Sequence, residues 1–280
     1  RMNPELKLRT ISGIVMAVVV LGATWWGGLP FRLFAALIGL LIYYEWSTIT
    51  GLARNVTDRF SHLFGWACTA LVCIEVAFRS IETAFILLIG FTIVALLVNL
   101  VRRRSLWLPG GIAYASLSAV SLAALRGNDQ DGLVTMVYIF ATVWATDIFA
   151  YFVGRAIGGP KLAPPISPGK TWSGAIGGMV AAVIFGLGAI AMFGHSVGIG
   201  LAVITAILSI GSQTGDLFES WIKRRFGVKD SSRLIPGHGG VMDRADGLVF
   251  ACFMAFLGGI AMAAANGHLI VDAGALLSGR

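Results

Sequence analysis

The chain has 280 residues, of which 57% are hydrophobic and only 12% charged, about half the roughly 25% charged content of soluble domains. With a mean hydropathy of +0.83, a soluble fold is excluded because too few polar groups exist to cover its surface, and so is intrinsic disorder. The formal charge of +7 on such a chain speaks of membrane topology and anionic headgroups, not of nucleic acid. The composition therefore predicts an all-α, polytopic integral membrane protein.

A spanning helix needs about 20 mostly apolar residues, and nine candidates follow in chain order. They are Ile11–Leu29, Phe31–Thr50, Ser61–Phe78, Ile81–Val101, Trp107–Leu125, Gly132–Gly154, Ser173–Gly194, Val197–Leu217 and Gly247–Asn266. The first is long enough to be a retained helix and lacks the pattern of a cleaved signal peptide. Pro30 reads as a tight turn between the first two spans. Pro109-Gly110-Gly111 makes the fifth the weakest candidate. Cys68, Cys73 and Cys252 all lie in apolar runs and read as buried thiols, not as a disulfide framework or zinc set. Gly174 and Gly178 form a small-xxx-small pair, the pattern of close helix packing.

Assigning alternate connections to opposite sides places 17 of the 21 Lys and Arg residues on one side. That side carries Arg1, Arg54 and Arg59, whereas Arg32, Arg79, Arg126 and Arg280 fall on the other. The positive-inside rule makes the richer side, with the N-terminus, cytoplasmic. An odd span number then puts the C-terminus outside. The chain is expected to divide into N-terminal transmembrane helices over 1–130, about five in number, and a C-terminal catalytic transmembrane region over 131–280. The latter carries two long polar loops, 155–172 and 223–246, both on the cytoplasmic side. Long loops in compact proteins are often functional.

Carboxylates inside apolar spans are costly and call for a reason. Asp147 lies seven residues before the end of the sixth span, about 10 Å below the interface at 1.5 Å per residue. Asp216 stands at the end of the eighth span. Asp243 and Asp246 stand just before the ninth, three residues apart, so that both point one way if that turn is helical. Lys170 opens the seventh. Four carboxylates and several cations are thus expected at one membrane depth. Clustered Asp oxygens suit a hard cation such as Mg²⁺, and Lys and Arg suit phosphate oxygens. Gly239 and Gly240 precede a helix start, where backbone N–H groups favour an anion. Asp216, Ser220 and Lys223 or Arg224 follow helical spacing and can share one face. A metal and an anion cradle at a membrane surface suggest phosphoryl or nucleotidyl transfer. Loop salt bridges, such as Asp243 with Arg244 or Asp230 with Arg233, and lipid-headgroup anchoring by Lys223–Arg225 are the structural alternatives. Glu45 and Glu75, also within spans, read as structural or interhelical. His62, His195 and His268 read as interface residues, whereas His238 sits in the dense polar loop.

The stretch 220–246, SWIKRRFGVKDSSRLIPGHGGVMDRAD, resembles the signature of the phosphatidate cytidylyltransferase, or CDP-diacylglycerol synthase, family. The matching positions are Ser220, Lys223-Arg224, Lys229-Asp230, Ser232, Ile235-Pro236, His238-Gly239-Gly240 and Asp243-Arg244-x-Asp246. Ala245 departs from the larger apolar residue or Thr usual there. WATDIFAYFVGR around Asp147, ISPGKTWSG around Lys170 and GSQTGDLFES around Asp216 are similar to the family as well. The resemblance implies transfer of the cytidylyl group of CTP to phosphatidic acid, giving CDP-diacylglycerol and pyrophosphate. It implies Asp216 and Asp243 as metal ligands, with Asp246 as a further ligand or support. The catalytic set is then Asp216, Asp243, Asp246, Lys223 and Arg244. Asp147, Lys170, Thr171, Ser173, Ser220, Arg224, Lys229, Asp230, His238, Gly239 and Gly240 are the implied substrate-binding set. Mg²⁺ is the implied cofactor, with room for a second, monovalent ion. The implied partners are CTP, phosphatidic acid, membrane lipids and a second copy of the chain. The implied location is the inner (plasma) membrane with the active site facing the cytoplasm. A carrier for an anionic or phosphorylated solute is the alternative, disfavoured because the polar groups gather on one side and mostly in loops. A CDP-alcohol phosphotransferase needs Asp-Gly-x-x-Ala-Arg, whereas Asp246-Gly247 is followed by Leu248, Val249, Phe250 and Ala251.

Overall fold

The computed structural model describes residues 4–53 and 59–265. In chain order these form α1 (Pro4–Trp26), α2 (Gly28–Ile49), α3 (Arg59–Phe78), α4 (Ile81–Val101), α5 (Trp107–Arg126), α6 (Gln130–Ile157), β1 (Lys161–Ala163), β2 (Ser167–Thr171), α7 (Trp172–Met192), α8 (Ile199–Arg225) and α9 (Met242–Ala265). Among the described residues all nine helices are long and apolar enough to cross a membrane, and the one sheet is a two-stranded hairpin. The protein is an all-α polytopic membrane protein. Arg1, Arg54, Asn266, His268 and Arg280, used above to place spans and charges, lie outside the described residues.

Most boundaries differ by a few residues from the sequence reading, and α1 starts at Pro4 instead of Ile11; the differences that bear on the site have local reasons. The break between the first two helices falls at Gly27, not Pro30. Gly27 and Gly28 adopt φ of 65° and 51°, the left-handed region that glycine enters without a Cβ penalty. Pro30 instead sits in the first turn of α2, where its missing N–H would have had no helical partner anyway. Helix α6 runs on to Ile157 and ends at Gly158, φ 67°. Segment 155–172 is therefore not one loop. It contains the antiparallel hairpin β1–β2, with Lys161 opposite Thr171 and Ala163 opposite Ser167. Pro164 and Pro165 fix φ at its turn, which closes through Ile166 N–H donating to Ala163 O at 3.1 Å. Lys170 accordingly lies on β2 and not at the head of a helix. Helix α8 continues past Leu217 to Arg225, so Lys223, Arg224 and Arg225 form its last turn. Cations there favour the negative end of the helix dipole. The loop expected from 223 thus begins at Phe226, and it ends at Val241 because Asp243 and Asp246 lie within α9.

The chain divides into two compact units, Arg1–Ala123 with Phe226–Arg244, and Ala124–Arg225 with Ala245–Arg280. In the first unit, α2 lies against α1 and α3, and α3 against α4. Arg32 on α2 donates to Val76 O at 2.6 Å and Arg79 O at 2.7 Å, satisfying carbonyls that the end of α3 leaves open. Trp46 donates from its indole N–H to Trp107 O at 2.8 Å and stacks on Tyr114. Glycine at 111 leaves room for that ring, since a Cβ there would stand 2.6 Å from Trp46 Cδ1. This explains the glycines of α5, which had made it the weakest candidate.

In the second unit, α7 packs on α6 and α8. Gly174 and Gly178 are the close-packing pair expected from their spacing. A Cβ at either would stand 2.6 Å from a carbonyl oxygen of α6, Ala150 O or Thr146 O. Hydroxyls join α6 to α8, with Tyr138 Oη 2.9 Å from Thr205 Oγ1 and Thr146 Oγ1 2.8 Å from Ser209 Oγ. Such side chains satisfy one another where no water is at hand. Helices α8 and α9 meet through Gly215, where a Cβ would stand 2.5 Å from Asp246 O.

Candidate active site

Polar side chains gather in each unit, and each cluster is built differently. In the second unit a cavity of about 840 Å³ is lined by α6, the hairpin, the start of α7 and α8. Its charged lining is Asp147, Arg155, Lys161, Lys170 and Asp216. The uncharged polar lining includes Thr171 and Gln213. Lys170 Nζ lies 2.5 Å from Asp216 Oδ2, and both side chains are partly exposed. Ser220 Oγ donates to Asp216 Oδ1 at 3.3 Å, one turn further along α8. Asp147, Asp216 and Asp246 lie within electrostatic range of one another. Three of the four expected carboxylates, with Lys170, thus come together in one unit.

Helical spacing sorts the cations of α8. Asp216, Ser220 and Arg224 recur every four residues and share one face, and Arg224 Nε points to Ile166 O on the hairpin at 3.5 Å. Lys223 belongs to the neighbouring face, where its Nζ meets Glu219 Oε2 at 3.1 Å. The Glu219 side chain is only 1% exposed and that of Lys223 14%, so Lys223 is an interior cation held by an acid. It also lies within electrostatic range of Asp246. Sequence reasoning passed over Glu219, although an acid four residues before a lysine is a recognisable helix pair.

Thr171 and Ser173, implied as substrate-binding residues, carry structural hydrogen bonds. Thr171 Oγ1 is the N-cap of α7, accepting from Gly174 N–H at 3.1 Å. Ser173 Oγ donates to Gly158 O. Thr171 also lines the cavity, so one residue both starts α7 and faces the polar space.

Gly215 sets the approach of α8 to Asp246. Gly215→Ala is expected to push the two helices apart and reduce kcat roughly 10- to 100-fold, the size of effect that small misplacements produce. Helix content by circular dichroism should be unchanged. Wild-type kcat in this variant would show that the close approach is not needed.

In the first unit the segment before α9 folds around carboxylates. Asp243 Oδ2 accepts from Ser231 N–H at 2.8 Å, Ser231 Oγ at 2.8 Å and Gly240 N–H at 2.7 Å. Gly239 has φ 84° and bridges to Ile235. His238 Nδ1 lies 2.8 Å from Ser12 Oγ on α1, and Ser12 Oγ donates to Pro236 O at 2.9 Å. Arg244 Nε donates to His238 O at 2.9 Å. Lys229 and Asp230 are exposed. Glu45 on α2, read from the sequence as structural or interhelical, joins this cluster and is fully buried. Its carboxylate accepts from Val241 N–H, Met242 N–H, Ser231 Oγ and Ser232 Oγ. The signal in the sequence was an acid inside an apolar span, but its partners lie nearly 200 residues away.

Among the described residues no three His, Cys, Asp or Glu side chains form a ready-made metal cage. The candidate donors are carboxylate oxygens accompanied by lysines.

The sequence pattern described as the cytidylyltransferase family matches residues 7–260. A protein of Brucella abortus (strain 2308) named phosphatidate cytidylyltransferase is 47% identical over 258 residues, covering 91% of this chain and 93% of that protein. Proteins of the same name from Haemophilus influenzae and Staphylococcus haemolyticus are 34% and 33% identical. Each of these two alignments covers 88% of this chain, with 96% of the Haemophilus protein and 95% of the Staphylococcus one.

Proposed function

Because the chain belongs to the cytidylyltransferase family, we propose that it transfers the cytidylyl group of CTP to phosphatidic acid, forming CDP-diacylglycerol and releasing pyrophosphate. The observation that carries this reading is the cavity in which Lys170 pairs with Asp216 at 2.5 Å, beside Asp147, Arg155 and Lys161. Adjacent cations and acids suit a reaction between two anions.

An oxygen of the lipid phosphate attacks the α-phosphorus of CTP. The new P–O bond forms as the bond to the bridging oxygen between the α- and β-phosphorus breaks, and pyrophosphate takes that oxygen and its electron pair. The nucleophile is already anionic, so no strong base is needed. What the protein must supply is alignment and charge compensation. Lys170, Lys161, Arg155 and Arg224 are the cations proposed to hold phosphate oxygens. Ser220 orients Asp216 from one turn along α8. Lys223, held by Glu219, is proposed to set the charge around Asp246.

Mg²⁺ fits this set. It is bound by one or two carboxylates together with substrate phosphates more often than by an all-protein cage, and Asp216 and Asp246 are the residues proposed to hold it. Asp147 lies within electrostatic range of both. Asp243, three residues before Asp246 on α9, is proposed as a further ligand on the strength of the Asp-Arg-x-Asp motif. When bound, the cation supplies charge stabilisation at phosphate oxygens. The proposed location is the plasma membrane with the polar segments facing the cytoplasm, where CTP and Mg²⁺ are available; the positive-inside pattern supports that orientation. Phosphatidic acid then arrives laterally with its acyl chains in lipid.

The test is to incubate purified protein in mixed micelles with Mg²⁺, phosphatidic acid and CTP labelled in the cytosine ring. Label is expected in a lipid with the mobility of CDP-diacylglycerol. No labelled lipid across several detergents and cations, combined with uptake of a phosphorylated solute into proteoliposomes, would favour the carrier reading instead.

A further inference from the structure

We propose that Glu45 is a positioning residue for the reaction: through the Ser231 hydroxyl it fixes the orientation of Asp243. The inference rests on the reading of Asp243 given above. It arises from a buried acid that the motif does not contain.

Glu45 is 0% exposed and sits on α2, far in sequence from the segment it contacts. Its two oxygens divide four donors evenly. Oε1 accepts from Ser232 Oγ at 2.6 Å and Val241 N–H at 2.8 Å. Oε2 accepts from Met242 N–H at 2.7 Å and Ser231 Oγ at 3.0 Å. Met242 is the first residue of α9, so the carboxylate faces the positive end of that helix dipole. A buried carboxylate is costly unless its lone pairs are satisfied, and here both oxygens are.

Ser231 connects this acid to Asp243. Its side chain is almost fully buried, and its Oγ lies 3.0 Å from Glu45 Oε2 and 2.8 Å from Asp243 Oδ2. A serine has a single O–H donor, so one hydrogen serves two carboxylates. Gly240 completes the arrangement: its N–H donates to Asp243 Oδ2 at 2.7 Å. A Cβ at 240 would collide with Ser231 Oγ and Glu45 Oε1. Glu45 therefore holds Ser231 and the two residues that follow Gly240, and Ser231, with Gly240, holds one oxygen of Asp243. A carboxylate gripped at one oxygen has its other oxygen aimed, which is the service that supporting partners perform for metal- or phosphate-facing acids.

Three variants test this: Glu45→Gln, Ser231→Ala and Ser232→Ala. Both serines donate to Glu45, but only Ser231 reaches Asp243. Glu45→Gln and Ser231→Ala are each expected to lower kcat roughly 10- to 100-fold, with KM for phosphatidic acid within about twofold of wild type. Ser232→Ala should cost far less kcat for a similar fall in melting temperature. In the Ser231→Ala background, Glu45→Gln should add little further loss, because the link between the two acids is already cut. A purely structural Glu45 gives the opposite result: losses that follow the melting temperature, equal effects of the two serine variants, and independent effects of Glu45→Gln and Ser231→Ala. Either of the last two outcomes overturns the proposal, and the serine pair decides it even if Glu45→Gln fails to fold. An inactive wild-type protein would instead overturn the proposed function itself.

Discussion

Replacing Asp216 by asparagine is expected to lower turnover by about 10²- to 10³-fold, the effect typical of removing one preorganised electrostatic group, while leaving the protein folded. Asparagine has the same shape, and about a third of the Asp216 side chain is exposed, so packing is preserved. The hydrogen bond from Ser220 also survives, since the amide oxygen can accept it. What disappears is the charge that meets Lys170 at 2.5 Å. The loss should therefore appear in kcat, with little change in KM for phosphatidic acid. Lys170→Met should be impaired as well. The double variant should be less impaired than the product of the two single effects, because each single change already breaks the pair. Steady-state kinetics in mixed micelles measures all three, and activity of Asp216→Asn within twofold of wild type would remove Asp216 from the reacting group.

Asp243→Ala is expected to be the second severe variant, with a different signature. Turnover should fall at least roughly 100-fold, and the melting temperature should fall too. One oxygen of Asp243 accepts two backbone N–H groups and a hydroxyl. Alanine removes that acceptor, and a buried donor left unsatisfied costs about 1–3 kcal/mol. Asp243→Asn separates the two roles. Its amide oxygen can take over the three donors, so the melting temperature should recover towards wild type, whereas turnover should not. Recovery of both by asparagine would mean that Asp243 only organises the loop. The melting temperature by scanning fluorimetry, read beside turnover, distinguishes these outcomes.

Much of the architecture was legible because a membrane simplifies the code. Ile81–Val101 is bounded identically in the sequence and the structure, since a long, mostly apolar run between polar ends has one reading. Gly174 and Gly178 announced close helix packing through their small-xxx-small spacing, and the partner is α6. Boundaries were missed where the helix outlasts the apolar run. Hydropathy ends α8 at Leu217, yet hydrogen bonding and the dipole carry it to Arg225. The hairpin was hidden because 155–172 read as one long polar loop, although the adjacent Pro164 and Pro165 in a tight turn are compatible with pairing.

The site divides along similar lines. Acids in apolar surroundings pointed to Asp147, Asp216 and Asp246, and the fold places these three within electrostatic range. Thr171 was singled out for its motif, but its N-cap bond to Gly174 was readable from a threonine ahead of an apolar run. Glu45 shows where a linear reading stops. Its cost inside α2 was visible, but the four donors that offset it come from a segment brought back by the fold.

The most direct measurement follows both ends of the nucleotide. CTP labelled at the α-phosphate and, separately, at the γ-phosphate is given to the wild-type protein with phosphatidic acid and Mg²⁺. The α-label should enter lipid and the γ-label should leave as pyrophosphate, in equal amounts, with both signals falling together in Asp216→Asn. γ-Label in the lipid, or release as inorganic phosphate without CDP-lipid, would contradict cytidylyl transfer at this site.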